Sequence, residues 1–276
     1  MYIKSTNSTN TLMKEMIARG EPIPDGCIYT GYQTAGRGQT GNGWESEADK
    51  NLLCSILLDD DFLEYSETDL KSSPFFLNVL ISVALHRQIG ELLWLYSGVD
   101  DIDQPLSIKW PNDIYYGDKK LAGILIEGVM EGSRLKYAIA GIGLNVNQTE
   151  WHSGAPNPIS MRQIRKEASG MDFDYDVEDV LVSIQCDLVE NALPFFDDTW
   201  KYYKEHLYRR EGFWRFVERE VSLEPTMNAD GRELQAKSQE PFLARIKDVL
   251  PTGEIVLEDQ EGQLRTYHFK QVRYVI

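Results

Sequence analysis

Residues 33–44 read Gln-Thr-Ala-Gly-Arg-Gly-Gln-Thr-Gly-Asn-Gly-Trp, and a short apolar run stands on each side of them. Glycine at 36, 38, 41 and 43 disfavours the interior of either a helix or a strand, so this stretch must be a loop. The apolar runs 27–33 and 51–58 are the strands it joins. Glycine also lets backbone approach a ligand closely, and successive N–H groups in such turns make concave anion sites. Arg37 adds a planar fork of donors suited to phosphate or carboxylate, and Trp44 offers a flat face to a ring. A plain surface hairpin would have a similar composition. The rest of the chain decides between the two.

The chain has 276 residues, enough for one large domain or a large and a small one. Its formal net charge is −16, which opposes non-specific binding to nucleic acid or to anionic membrane surfaces. Against that background a basic loop is conspicuous. No segment is expected to span a bilayer, and the polar N-terminus lacks the apolar middle of a secretory signal. Cys27, Cys54 and Cys186 are odd in number and far apart, as in reduced thiols of a cytoplasmic protein. Four scattered histidines include no pair at metal-ligand spacing.

Helical spacing over 10–17, with Ser8 or Asn10 as cap and Gly20 as stop, predicts a first helix. An acidic loop over 59–69 leads to Pro74, which opens a long helix to about Leu95, apolar all round and so buried against a sheet. Strands are expected at 106–109, in a hairpin turning at Gly117-Asp118, and at 121–130 and 135–142. Helices follow from Ser160 to Gly170, from Asp176, and after Pro194 up to Tyr208. After Glu211 short alternating segments at 216–223, 242–249, 253–257 and 265–269 suggest a small β-barrel of SH3-like size. The expected division is a mixed α/β domain over 1–215 and a small all-β domain over 216–276.

Three further segments carry chemistry. Ser8-Thr9-Asn10 places hydroxyl and amide groups at a helix start, where they cap or bind. Lys109-Trp110-Pro111-Asn112-Asp113 puts a cation at the end of a buried-type strand, where it needs an anionic partner or must reach water. Lys120 to Glu127, then Ala140 to Asn147, carry Gly123, Gly141 and Gly143 inside apolar strands. Such glycines often mark a ligand lying flat on the backbone. Neither a dinucleotide fingerprint nor a Walker A sequence is present.

In order, these segments are Ser-Thr-Asn, GRG-x-x-G-x-x-W, KWPND, K-x-A-G-I-L-x-E and G-I-G-x-N-x-N. The set resembles the biotin–protein ligase family, closely over residues 3–150 and loosely beyond. The resemblance implies an α/β (α+β) fold: a mixed sheet flanked by helices, like a class II synthetase, followed by an SH3-like β-barrel. It also implies activation of biotin with ATP to biotinyl-5′-AMP, with Mg²⁺, and transfer of biotin to a lysine of a biotin carboxyl carrier domain. Ser8, Thr9, Asn10, Gln33, Gly36, Arg37, Gly38, Lys109, Gly123, Leu125 and Gly141 are the implied biotin contacts. Arg37, Gln39, Trp44, Lys109, Asn112, Lys120 and Asn145 are the implied contacts to ATP or the adenylate. Lys109 and Arg37 carry the catalytic roles, and no metal ligand is named. Many family members read GRGRxGR, whereas Gln39 and Asn42 here replace two arginines. The chain begins at the catalytic segment, so no repressor activity is expected. Family members differ in oligomeric state, homodimers included.

Overall fold

The computed structural model describes residues 1–38, 43–59, 62, 75–97, 105–132, 134–152, 157–192, 195–219 and 240–276. The chain divides into two compact units, Met1–Tyr208 and Arg209–Ile276.

The first unit is built on a seven-stranded sheet. Its strands are β1 (Tyr2–Ile3), β2 (Cys27–Thr30), β3 (Leu52–Leu58), β4 (Leu106–Lys109), β5 (Asp113–Tyr116), β6 (Lys119–Glu131) and β7 (Arg134–Leu144), in the order β1-β2-β3-β7-β6-β5-β4. Only β1 and β2 run parallel; every other neighbouring pair is antiparallel. Helix α1 (Thr9–Arg19) starts at Ser8 and ends on Gly20, whose left-handed backbone (φ 69°) closes the last turn. It buries Met13 and Met16 against Ile28 and Ile139 of the sheet. Helix α2 (Phe75–Ser97) buries residues on all sides, from Phe76 and Leu80 to Leu85 and Leu93. Over Phe75–Tyr96 it is long and apolar enough to cross a membrane, contrary to the expectation that no segment is. Most of that stretch, 72%, is buried inside the fold. Three more helices follow: α3 (Met161–Ser169), α4 (Val177–Asp187), which runs on into a π-turn at Leu188–Ala192, and α5 (Phe196–Glu205).

The second unit is a five-stranded antiparallel sheet in the order β11-β10-β9-β8-β12. Its strands are β8 (Trp214–Glu218), β9 (Phe242–Val249), β10 (Ile255–Asp259), β11 (Leu264–Tyr267) and β12 (Val272–Tyr274). Ala244 and Ile246 of β9 are buried while Leu243, Arg245 and Lys247 face outward, the alternation of a sheet with one covered face. The mixed α/β architecture with a small all-β unit is the fold class expected from the sequence. Pro74, Pro194, most of the acidic run 59–69 and the end of the 216–223 segment lie outside the described residues.

Candidate functional site

Cross-strand register assembles the site. Lys109 pairs with Asp113, Asp113 with Gly123, Gly123 with Gly143 and Gly143 with Leu53, so these residues form one row across five strands. Directly opposed residues share a face of a sheet. The next row on that face holds Leu125, Gly141 and Ser55, and the one after it Glu127, Ile139 and Leu57. Ile139 touches α1, so the two glycine rows open under the start of that helix and under the glycine-rich loop.

Side chains of this chain use the space the glycines leave. Trp44 lies on the first row: a β-carbon at Gly143 would come within 2.8 Å of its ring, and one at Gly123 within 3.1 Å. The indole Nε1 is buried and has no hydrogen-bond partner among the described residues. Asn10 covers the second row, its side-chain carbon 2.9 Å from where a β-carbon of Gly141 would stand. The loop that delivers Trp44 is closed at its base, where Arg37 bridges Gly43 and the Trp44 N–H donates to the Gly36 carbonyl at 3.0 Å. Gly36 tolerates no side chain there, since a β-carbon would stand 2.7 Å from the Trp44 carbonyl oxygen. Gly38 follows, half-buried; Gln39 and Asn42 lie outside the described residues.

At the helix start, Ser8 occupies the N-cap position without a capping hydrogen bond from its side chain. The Thr9 N–H donates to Gln33 Oε1 at 2.8 Å, and its hydroxyl reaches the same oxygen at 3.3 Å. Ser55, a polar residue buried in an apolar strand, lies 2.7 Å from Thr9 Oγ1 and donates to Asn10 Oδ1 at 2.6 Å. Asn10 Nδ2 in turn donates to the Leu125 carbonyl at 3.3 Å and to Glu127 at 2.8 Å. Arg37 also ends on Glu127, at 3.0 Å, as does Lys14 at 2.6 Å. Burial raises the proton affinity of Glu127, but the hydrogen bonds from Lys14 and Asn10 and the charges of Lys14 and Arg37 outweigh it. The carboxyl stays ionised below the usual glutamate range.

The other end of the site is cationic. Lys109 Nζ, half-buried, donates to the Tyr115 hydroxyl at 3.0 Å and stands 4.4 Å above that ring. Burial pushes the Tyr115 phenol well up, and the nearby Asp113 charge adds to the effect, so the hydroxyl accepts from Lys109 as a neutral group. Lys120 pairs with Asp113 at 2.8 Å and lies 5.8 Å from the Trp44 ring. Asn112 and Asn145 are buried and committed to backbone: Asn112 donates to the Ile124 carbonyl at 2.7 Å, Asn145 to that of Ile159 at 3.0 Å. They brace strand ends of the site.

Of the candidate residues named from the sequence, Thr9, Asn10, Gln33, Arg37, Trp44, Lys109, Lys120, Gly123, Leu125 and Gly141 come together around the glycine rows, and Ser8 stands at the start of the helix beside them. Ser55, Lys14, Tyr115 and the hub at Glu127 were not singled out from the sequence, whereas Gly143 was, with Gly123 and Gly141. Lys14 stands one helical turn after Asn10, a spacing that puts both on one side of α1.

The family profile described as Biotin/lipoate A/B protein ligase matches residues 2–145. The bifunctional ligase/repressor BirA of Bacillus subtilis is 26% identical over 251 residues, which cover 88% of this chain and 65% of that protein. The chain therefore spans just under two thirds of that relative's length. Biotin–protein ligase of Homo sapiens is 34% identical over 153 residues, 54% of this chain and 19% of its own. Among solved structures, biotin protein ligase from Aquifex aeolicus in complex with biotin and ATP superposes with a TM-score of 0.64 at 21% identity, covering 100% of this chain and 98% of that one. The Leishmania major biotin protein ligase in complex with biotinyl-5-AMP gives 0.61 at 19%, covering 97% of each.

Proposed function

Because the chain belongs to the biotin/lipoate A/B protein ligase family, we propose that it joins biotin to ATP as biotinyl-5′-AMP and passes biotin to a lysine of a biotin carboxyl carrier domain. The observation that carries this reading is the row Lys109, Asp113, Gly123, Gly143 with Trp44 on its glycines, beside the Thr9–Gln33 pair. A neutral bicyclic urea needs paired donors and acceptors next to an apolar floor. Ser8, Thr9, Asn10 and Gln33 supply the first, and Leu125 with the glycine rows supplies the second. Arg37 offers a bidentate grip to the carboxylate and then to the mixed anhydride. Trp44 stacks on adenine, which requires its indole to leave or share the glycine platform.

In the first step a carboxylate oxygen of biotin attacks the α-phosphorus of ATP, and the bond to the bridging oxygen breaks to release pyrophosphate. The Lys109 ammonium offsets the charge that builds on the phosphoryl oxygens. In the second step a deprotonated lysine amine of the carrier attacks the acyl carbon, AMP departs, and Lys109 faces the oxyanion of that step. Lys120 adds positive charge on the adenylate side, and Asn112 and Asn145 hold the strand ends that carry these groups. Mg²⁺ is expected to arrive on the phosphates of ATP. Among the described residues no group of three or more His, Cys, Asp or Glu side chains is arranged to hold a metal, so no step is assigned to it.

We assign the chemistry to the unit Met1–Tyr208 and give the β unit a supporting role. The free thiols Cys27, Cys54 and Cys186 fit a cytoplasmic setting. The test is incubation with labelled biotin, ATP, Mg²⁺ and a carrier domain. Label on the carrier lysine supports the reading; label from lipoate but not from biotin would overturn it.

A further inference from the structure

Glu127 has no part in the chemistry above, yet three groups from two separate elements meet on it. Asn10 and Lys14 come from α1 and Arg37 from the glycine-rich loop. Asn10 donates to one oxygen of the carboxylate and Lys14 to the other. Arg37, between two glycines and 44% exposed, is the partner that can leave; Glu127 is 21% exposed. Two cations face one carboxylate, so the cluster keeps one positive charge to spare.

Resting on the biotin-ligase reading, we propose that Glu127 is a stand-in anion, which occupies Arg37 in the unliganded protein and competes with the carboxylate of biotin for it. A guanidinium that exchanges one carboxylate for another keeps its charge-assisted hydrogen bonds. The exchange therefore needs little reorganisation, and a modest difference in affinity decides it. Glu127 also repels an incoming anion while leaving the neutral ring untouched. It thereby sets how tightly the acid end is held, independently of recognition at Thr9 and Gln33.

The test is calorimetric titration of wild type and Glu127→Gln with biotin and with biotin methyl ester, which keeps the ring and lacks the charge. Glutamine preserves volume and an acceptor for Asn10, and an unchanged unfolding curve by circular dichroism verifies the fold. The expected result is biotin binding roughly fivefold tighter to the variant, the scale of one partly exposed ion pair, with the ester changed by less than about twofold. Weaker or unchanged biotin binding by the variant would overturn the proposal, as would equal tightening of both ligands. Failure of wild type to bind either ligand would defeat the functional reading, and this one with it. Binding of both by wild type with no selective gain in the variant would defeat the role of Glu127 alone.

Discussion

His86 makes the unit that carries the site sensitive to acid. It lies on α2, 6% exposed, with Nε2 3.1 Å from the Leu106 carbonyl and Nδ1 2.9 Å from the Tyr202 hydroxyl. A carbonyl only accepts, so Nε2 carries the hydrogen and Nδ1 accepts from tyrosine. Protonating Nδ1 would remove that acceptor and bury a charge beside His206 and Arg87. Burial first, against the opposing pull of the Leu106 carbonyl, then these two neighbours, lower its pKa from 6.5 to about 4. The unfolded chain takes up this proton as pH falls through 6.5, and the folded chain does so only near 4. Between those values the unfolded state holds more protons, so folding stability falls as pH falls. At about 1.4 kcal/mol per tenfold change in proton affinity, the whole window corresponds to about 3 kcal/mol, of which about 2 kcal/mol falls between pH 7 and 5. Urea unfolding of wild type and His86→Gln at pH 7, 6 and 5 measures it. The variant should lack that share of the slope. Parallel losses in the two proteins, or a His86 ring that titrates near 6.5 by NMR, would refute the reasoning. Within the folded protein the ring stays neutral down to about 4, so its hydrogen bond to Leu106, which opens the strand that ends in Lys109, should hold over this range.

Gly143→Ala should drive Trp44 off the sheet, because the added carbon would stand within 2.8 Å of the ring; tryptophan emission should shift to the red, and an unshifted spectrum would count against the platform. Gly123→Val should weaken biotin binding by at least tenfold on steric grounds, measured by calorimetry, and undiminished affinity would refute that placement of the ring. Asn10→Ala removes the group that joins Ser55, the Leu125 carbonyl and Glu127. Thermal or urea unfolding should show a loss of about 1–3 kcal/mol, the range for orphaning buried polar partners.

Local structure was legible wherever short-range chemistry decides it. Ser160 and Gly170 bracket α3, and the structure puts a full capping box on Ser160 and Gln163 and a left-handed Gly170 at the end. Gly117-Asp118 marked the turn between β5 and β6. Pairing across the sheet was not legible, because register is a relation between distant segments. Nothing in the sequence says that Gly123 faces Gly143, or that Lys109 stands in their row. Strands β1 and β12 were missed because two or three residues give no period to read. Glu127 closed a recognised motif, but its role depends on three partners 90 to 117 residues away. Asn112 and Asn145 stood out in the sequence as candidate ligand contacts, and their burial against backbone carbonyls was visible only once the fold was in place.

Biotin-dependent exchange of labelled pyrophosphate into ATP isolates the first chemical step from any carrier protein. Wild type should catalyse exchange only when biotin is present. Lys109→Ala, folded as judged by its unfolding curve, should lose at least about a hundredfold in rate, the scale of one preorganised charge in a transition state. Exchange at the wild-type rate in Lys109→Ala, or none in wild type, would contradict the account.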